Sequence, residues 1–565
     1  MEIKVNKTIF TCICMSCLST VAQATDIKGK ITDSQNSAPL TGVSLHIDGT
    51  ANGCITDIDG NYELKNLKEG NYTISINYVG YKTITWKNVQ IKDKDLILNC
   101  KMEPDVKNLG EVTVVGKVKR STENAQINRL KRSLLQESGV SAQQISRSQD
   151  KDASEVIRRI PGISIIDGKF VMVRGLSQRY NNVWINGGAV PSSEPDTRAF
   201  SFDIIPSSQL DNLTIVKSPA PEYPADFTGG FILINTKDLP ENNSFHISLG
   251  TGINDKTHFR DFLASKSSGT DWLGFDNGMR SLNGGIKRTM DTYSGTNLIN
   301  PLTNGLNNDW TYHTRKPIGD LKLNTDYSRK WTYANNSAFG LMAALNYSNT
   351  YKSYLNMTNA MYNAYDATQN KSVPIFKTTD NQYTNDVRLG AMLNMVYQPA
   401  NPKQTYEFKN IFNQAGISRL TTRQGVDEEN NNMKSTEYYY ASRTTYNGQI
   451  TGRYILNQGK MDWSTGFAYA NQNLPDRKIF KLDDSQSSEV GLAQGQDLKR
   501  EFTNLDEYMG SANVNFEKQL TILRLLSTLK AGAYAEYRSR TYRTRQFVYN
   551  LGSALPSAYQ YYNIP

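Results

Sequence analysis

The second half of the chain is written with a period of two. In Phe339-Gly-Leu-Met-Ala-Ala-Leu-Asn-Tyr347 the odd positions are Phe, Leu, Ala, Leu and Tyr, and the even ones Gly, Met, Ala and Asn. Val387–Tyr397 repeats the pattern with Arg388 and Asn394 on the other face, and Met461–Tyr469 and Leu529–Tyr537 follow it. Successive side chains of a strand point to opposite faces, so each run has one apolar and one polar face. Runs of about ten residues that close on Tyr or Trp suit a strand crossing a bilayer, with aromatic rings at the interface. No run of about eighteen apolar residues occurs, which excludes a spanning helix but not a barrel, whose lipid-facing residues are diluted one in two. A soluble β-sandwich accounts for the alternation but not for the aromatic ends.

At 565 residues the chain exceeds one compact core, so several domains or one very large sheet are expected. Residues 1–24 read as a signal peptide: Lys4 and Lys7, the apolar run Thr8 to Leu18, then Ala22-Gln23-Ala24 as the cleavage site. Cys12, Cys14 and Cys17 leave with it. Cys54 and Cys100 remain and either pair in an oxidising compartment or stay as separate thiols, since sequence fixes no distance between them. The four histidines are scattered and no CxxC survives, so no metal site is expected. The net charge of +9 is a small excess of 63 basic over 54 acidic residues spread along an exported chain, and no nucleic-acid partner is expected.

From 25 to 103 short alternating runs such as Val43, Leu45, Ile47 against Ser44, His46, Asp48 predict a small antiparallel β-sandwich. Asp57-Ile-Asp59-Gly60-Asn61 lacks the later ligands of a calcium loop and reads as a tight turn. With Thr56–Tyr62 as its most specific segment, this stretch resembles the carboxypeptidase regulatory-like domain placed ahead of Bacteroidetes-type outer-membrane receptors. The resemblance implies no catalytic residues.

Residues 104–149 read as a polar, basic linker. Its β-prone run Glu111-Val112-Thr113-Val114-Val115 suits capture as an added strand by another protein and equally an ordinary edge strand. From 150 to 240 a short amphipathic helix, Ala153–Ile160, precedes Gly-separated strands, which predicts a mixed α/β module. Val156-Ile-Arg-Arg-Ile-Pro-Gly162, Val173-Arg174-Gly175, Val183-Trp-Ile-Asn186-Gly187, Ile205-Pro206 with Val216-Lys217, and Gly229-Gly230-Phe-Ile-Leu-Ile-Asn235-Thr-Lys237 stand in the order and spacing of a plug domain. The chain thereby resembles the TonB-dependent outer-membrane receptors. It departs from them at Lys217-Ser-Pro-Ala-Pro-Glu-Tyr-Pro224, where many plugs carry a Lys-Gly-Pro turn. Val173, Val183 and Ile185 are assigned to the plug sheet. Arg174 and Arg179 are assigned to the barrel wall or to pairs within the plug, against plain surface arginines.

The fold expected is therefore mainly β: a small sandwich, an α/β plug, then an incomplete antiparallel transmembrane barrel over 241–565. About ten to twelve strands precede Pro565 against about 22 in a plug-enclosing receptor, so the barrel reads as about half present. An open edge in hydrocarbon costs several kcal/mol for each unpaired backbone group, which points to a fragment, a stopped gene or part of a split receptor. Ser268 to Thr311 and Asn473 to Asp506 are expected to be long polar loops. The resemblance implies residence in the outer membrane, with sandwich and plug on the periplasmic side. It implies TonB and its inner-membrane energising complex as partners, with Glu111–Val115 as the TonB-box candidate. It also implies an extracellular ligand, a surface lipoprotein and outer-membrane lipid as partners, without a cofactor and without catalysis. Two other classes remain open: an exported carbohydrate-binding or carbohydrate-active protein, whose carboxylate pair would be Asp196 and Asp203, and a non-transporting adhesion or scaffold protein.

Overall fold

The computed structural model describes residues 25–103, 122–148, 150–237, 243–282, 306–483, 491–492 and 498–549, apart from gaps at 35–36, 49, 51, 68, 79–80, 93–95, 308, 429 and 523–524. The leader at 1–24 and Glu111–Val115 lie outside the described residues. The chain divides into two compact units, Met1–Gly116 and Lys117–Pro565.

In the first unit, alternation builds two four-stranded sheets over one core. One joins Asn61–Leu67, Thr25–Asp33, Leu96–Ile97 and Cys100–Met102; the other joins Gly53–Ile55, Ser44–Ile47, Gly70–Asn77 and Ile84–Ile91. Ile27, Ile31, Leu45, Ile47, Ile74 and Ile76 fill the space between them. The sandwich is not wholly antiparallel, as the sequence suggested: Thr25–Asp33 pairs in parallel with both Leu96–Ile97 and Cys100–Met102. The chain leaves the second sheet at Ile91 and crosses back to lie beside its own first strand, which alternation alone does not reveal. Cys54 and Cys100 are both free, and burial pushes the Cys54 thiol up to about 12. Asp57 Oδ1 accepts from the N–H of Asp59 and of Asn61 at 2.9 and 2.8 Å, so the acidic stretch is a side-chain-closed turn.

The second unit opens with an α/β module. Its five-stranded sheet runs Gly188–Ala189, Asn182–Ile185, Phe231–Thr236, Leu210–Val216, Glu137–Ser141, with Asn182–Ile185 and Phe231–Thr236 parallel. The stretch read as linker is folded over 122–148: it forms the helix Glu123–Arg132, the edge strand Glu137–Ser141 and the helix Ala142–Arg147. Ser141 closes that last helix with a capping box against Gln144, a signal its polar composition hid. Asp152 caps Ala153–Ile157 by accepting from the N–H of Ser154 and Glu155.

The rest is a ten-stranded antiparallel sheet in chain order: Ser244–Gly252, Asp320–Thr332, Ala338–Asp366, Lys371–Gln398, Gln404–Val426, Asn432–Leu456, Gly459–Asp483 (which also carries Gly491–Leu492), Leu498–Ile522 and Leu525–Tyr549. Within the described residues the sheet does not close on itself, Ser244–Gly252 and Leu525–Tyr549 forming its two margins. From Ala338 onward each long strand has 23 to 29 residues, more than twice what a bilayer needs. Asn473–Asp483 and Leu498–Asp506, expected as loop, belong instead to the paired strands Gly459–Asp483 and Leu498–Ile522.

The two faces of this wall carry different structures. Asn346, Arg388, Asn413 and Arg443 face the α/β module. Residues of opposite parity, Tyr347, Val387, Gln414 and Tyr440, face away. Against the long-loop half of that outer face lie the described parts of the first connection, Asn254–Leu282 and Leu306–Arg315.

Candidate functional site

The module meets the wall through charges that neither element would bury alone. Asp203 and Glu194, on the stretch between the strands Gly188–Ala189 and Leu210–Val216, are each under 10% exposed, as is Arg443 of the wall strand Asn432–Leu456. Arg443 donates from Nη2 to Asp203 Oδ2 at 2.5 Å and from Nη1 to Glu194 Oε1 at 3.0 Å. Arg388, from Lys371–Gln398, donates to Asp152 Oδ2 at 3.2 Å and to the Asp203 carbonyl, and is held from its own strand by Asp386 at 3.0 Å. Asp152 thus caps a helix with one oxygen and takes a wall arginine on the other. Arg540, from Leu525–Tyr549, reaches the Glu194 and Pro195 carbonyls while pairing with fully buried Glu507 at 2.6 Å. Glu194 is completed by Lys169 at 2.7 Å and Ser201 at 2.8 Å. Buried carboxylates with this many donors are satisfied, and removing one donor strands a charge.

Burial works to raise the Asp203 carboxyl, but Arg443 and Arg388 beside it outweigh burial and hold it below the usual carboxylate range. Asp152 goes the other way: burial raises it, against the Ser154 bond and Arg388. A carboxyl depressed in the fold contributes stability above its unfolded value and loses it as pH falls through the folded value. A raised one favours the fold while protonated and loses that contribution as pH rises through its folded value. Acidification below about 4 is therefore expected to loosen the Asp203–Arg443 contact. Thermal melts across that window should decline, and Asp203→Asn should flatten the decline; an unchanged acid arm in that variant would sink the assignment.

Uncharged contacts add to the seam. Gln209 Nε2 donates to Asn346 Oδ1 at 3.1 Å, Asn394 Nδ2 to the Lys237 carbonyl at 2.7 Å, and Asn513 Nδ2 to the Gly187 carbonyl at 3.2 Å. Trp184 lies 5.0 Å from the Tyr534 ring of the wall.

The motif residues are placed mainly inside the module. Arg174 sits at φ 55° and donates to the carbonyls of Lys217 and Gly229 at 2.6 and 3.0 Å, stitching two turns of the module. Arg179 lies over the Tyr180 ring at 4.9 Å and donates to its hydroxyl. Neither has a described partner on the wall. The closest charge pairs crossing to the wall have the opposite sign, carboxylates on the module and arginines on the sheet. Asn186, at φ 53°, accepts from the N–H and hydroxyl of Thr236 at 3.0 and 3.1 Å. Gly175 and Gly187 have φ of 78° and 90°. Pro206 forms an isolated bridge with Asp152 and lies against the wall at Gly390. The Gly229 N–H donates to Tyr180 O, Gly230 is wedged against Val173 and Ile215, and Asn235 donates to Asn212 at 2.8 Å. Asp152, Glu194, Asp203, Arg388 and Arg443 went unread as a site because they meet across up to 249 residues.

Comparison with known proteins bears on both units. Residues 27–114 match the family described as CarboxypepD_reg-like domain, and residues 130–231 match the TonB-dependent Receptor Plug Domain. The chain carries the plug domain of the TonB-dependent receptors. It is 22% identical to the vitamin B12 transporter BtuB of Photobacterium profundum over 55% of this chain and 52% of that one. It is 24% identical to the TonB-dependent receptor SusC of Bacteroides thetaiotaomicron over 38% of this chain and 21% of that one. The chain thus spans about half the length of the first curated relative and about a fifth of the second. Among solved structures, the unliganded ferric citrate transporter FecA aligns over 74% of this chain and 62% of its own at 11% identity, with a TM-score of 0.27. A regulatory-like domain ahead of the plug, with SusC among the relatives, is consistent with a TonB-dependent receptor of the Bacteroidetes type. The plug match begins at 130, and the described plug sheet takes its edge strand from Glu137–Ser141.

Proposed function

We propose that this chain is the plug-bearing part of a TonB-dependent outer-membrane receptor that admits a scarce ligand, an iron chelate, glycan or peptide, when energised TonB draws on the plug. The observation that carries the reading is a folded plug seated on the polar face of a long-stranded wall, with apolar residues such as Leu345, Leu393, Phe408, Ile450 and Phe467 exposed on the opposite face. That sidedness fits lipid outside and water inside, and so supports residence in the outer membrane. In this reading Glu111–Val115 is the TonB box and adds a strand to TonB, and the plug motif residues keep the plug folded rather than touching the ligand. A surface lipoprotein would act from the extracellular side.

Nothing in this reading needs chemistry on the ligand, in keeping with a family of transporters. The carboxylate pair that a carbohydrate-active alternative would use is poorly placed: Asp203 spends its oxygens on Arg443 within the plug–wall seam. The test is direct. The periplasmic domain of TonB should retain the full chain on a column, and deletion of 111–115 should reduce retention to background. Equal retention of the deleted chain would refute the TonB-box assignment, and no retention of either would favour the adhesion or scaffold reading.

A further inference from the structure

The first wall connection takes an unexpected course. Its described parts, Asn254–Leu282 and Leu306–Arg315, lie on the face of the wall opposite the plug and reach across it. Phe262 packs edge-on against Tyr351 and Tyr383, at 5.6 and 5.4 Å. The Trp272 carbonyl accepts from Tyr347 at 2.8 Å, and the Gly274 carbonyl accepts from Gln414. Arg280, clamped by Asp271 and Asp276 at 2.6 and 2.7 Å, lies 4.2 Å over the Tyr440 ring. Farther along, Trp310 meets Phe480, and Leu306 packs with Phe502 and Phe547. The segment is a strap across the outer surface from the strand Ala338–Asp366 to the margin strand Leu525–Tyr549.

The strap's lower edge has a definite height. Gly274 rests on Gly416, where any side chain would collide: a Cβ there would stand 2.5 Å from the Gly274 Cα. Gly416 is paired with Val387, which faces outward yet is 2% exposed. Ten positions nearer the short-turn end stands Tyr397, outward and exposed. Ten residues of strand span roughly 33 Å, which at a tilt of about 40° is roughly 25 Å of height, the height of a barrel's apolar band. Below this line stand outward and exposed Leu393, Phe408, Ile450 and Phe467; above it outward Tyr383, Leu420 and Tyr438 are covered by the strap. On the line sits Trp272, 58% exposed and joined through its backbone to Tyr347, the aromatic that closes the outward run from Phe339.

We propose that the strap is a lipid-facing collar, resting on the outer surface of the bilayer with Trp272 lodged at the boundary between headgroups and acyl chains. The collar rests on the transmembrane reading of the wall given above. An indole at this level has its ring in the apolar layer and its N–H among polar groups. Continuity with the exposed apolar band below makes lipid the occupant that the surface fits.

The test uses the full chain in phosphatidylcholine vesicles whose acyl chains are brominated near the headgroup, with tryptophan emission as readout. Each Trp→Phe variant is compared with the parent for the portion of emission that bromine quenches. Trp463→Phe should remove part of that portion, because Trp463 lies on the outward band near the short-turn end. Trp272→Phe should remove a comparable part, and Trp310→Phe, whose ring is turned in against Phe480 of the wall, should remove none. If Trp272→Phe behaves like Trp310→Phe while Trp463→Phe loses quenching, the collar is wrong and the surface belongs to water or a protein partner. If Trp463→Phe also loses none, the wall itself is not in lipid and both readings fall.

Discussion

Arg443→Met is expected to weaken the seating of the plug by about 3–5 kcal/mol, the cost of leaving buried carboxylates without their cation. Asp203 would keep only Arg388, whose guanidinium stands 3.7 Å from it, and Glu194 would keep Lys169 and Ser201. The substitution keeps an unbranched apolar stem and removes the charge and the donors, so the loss is chiefly electrostatic. Amide hydrogen exchange over Ala199–Ile204 should report the change as faster opening of that segment, with the wall strands protected as before. The combination of Arg443→Met with Asp203→Asn and Glu194→Gln should recover much of the loss, because stranded charge costs more than an absent pair. A single variant that exchanges like the parent would show that the seam is held by its neutral contacts.

Phe231→Ala carries the second large effect, also about 3–5 kcal/mol, by a different route. Phe231 is fully buried at the start of the central plug strand and touches Trp184, Tyr223 and Phe227, at 4.9, 4.6 and 5.4 Å between ring centroids. Deleting the ring leaves a cavity beneath Trp184, the residue that reaches Tyr534 of the wall. Denaturant unfolding of the full chain should show an early transition in near-ultraviolet circular dichroism that the parent lacks. Coincident transitions in parent and variant would mean that the surrounding rings had collapsed into the gap.

The plug strands from Ile163 to Ala189 and Phe231–Thr236 were legible as short apolar runs beside glycine, and the wall because period two survives in its lower half. The upper half was misread for a physical reason. In Asn473–Asp483 and Leu498–Asp506 polar residues outnumber a few apolar ones such as Phe480 and Phe502, so the composition is loop-like while the backbones stay paired. The strand Glu137–Ser141 was lost in a polar stretch because an edge strand of five residues leaves little periodicity to read. The seam was invisible for another reason. Asp203 and Arg443 are 240 residues apart, and nothing local marks either as buried. Arg174, by contrast, advertised itself beside Gly175, but its task is to hold two carbonyls of its own module.

The strap is made before the surface it covers. Residues 254–282 leave the synthesising ribosome ahead of the strands from Ala338 to Tyr549, so Phe262, Trp272 and Arg280 have no resting place until those hairpins have zipped together. Contacts between parts so far separated in the chain are slow to form, and the strap is accordingly among the last pieces to settle. Its docking is thus a completion mark for maturation: a chain whose strap is still open to protease has not finished building its wall.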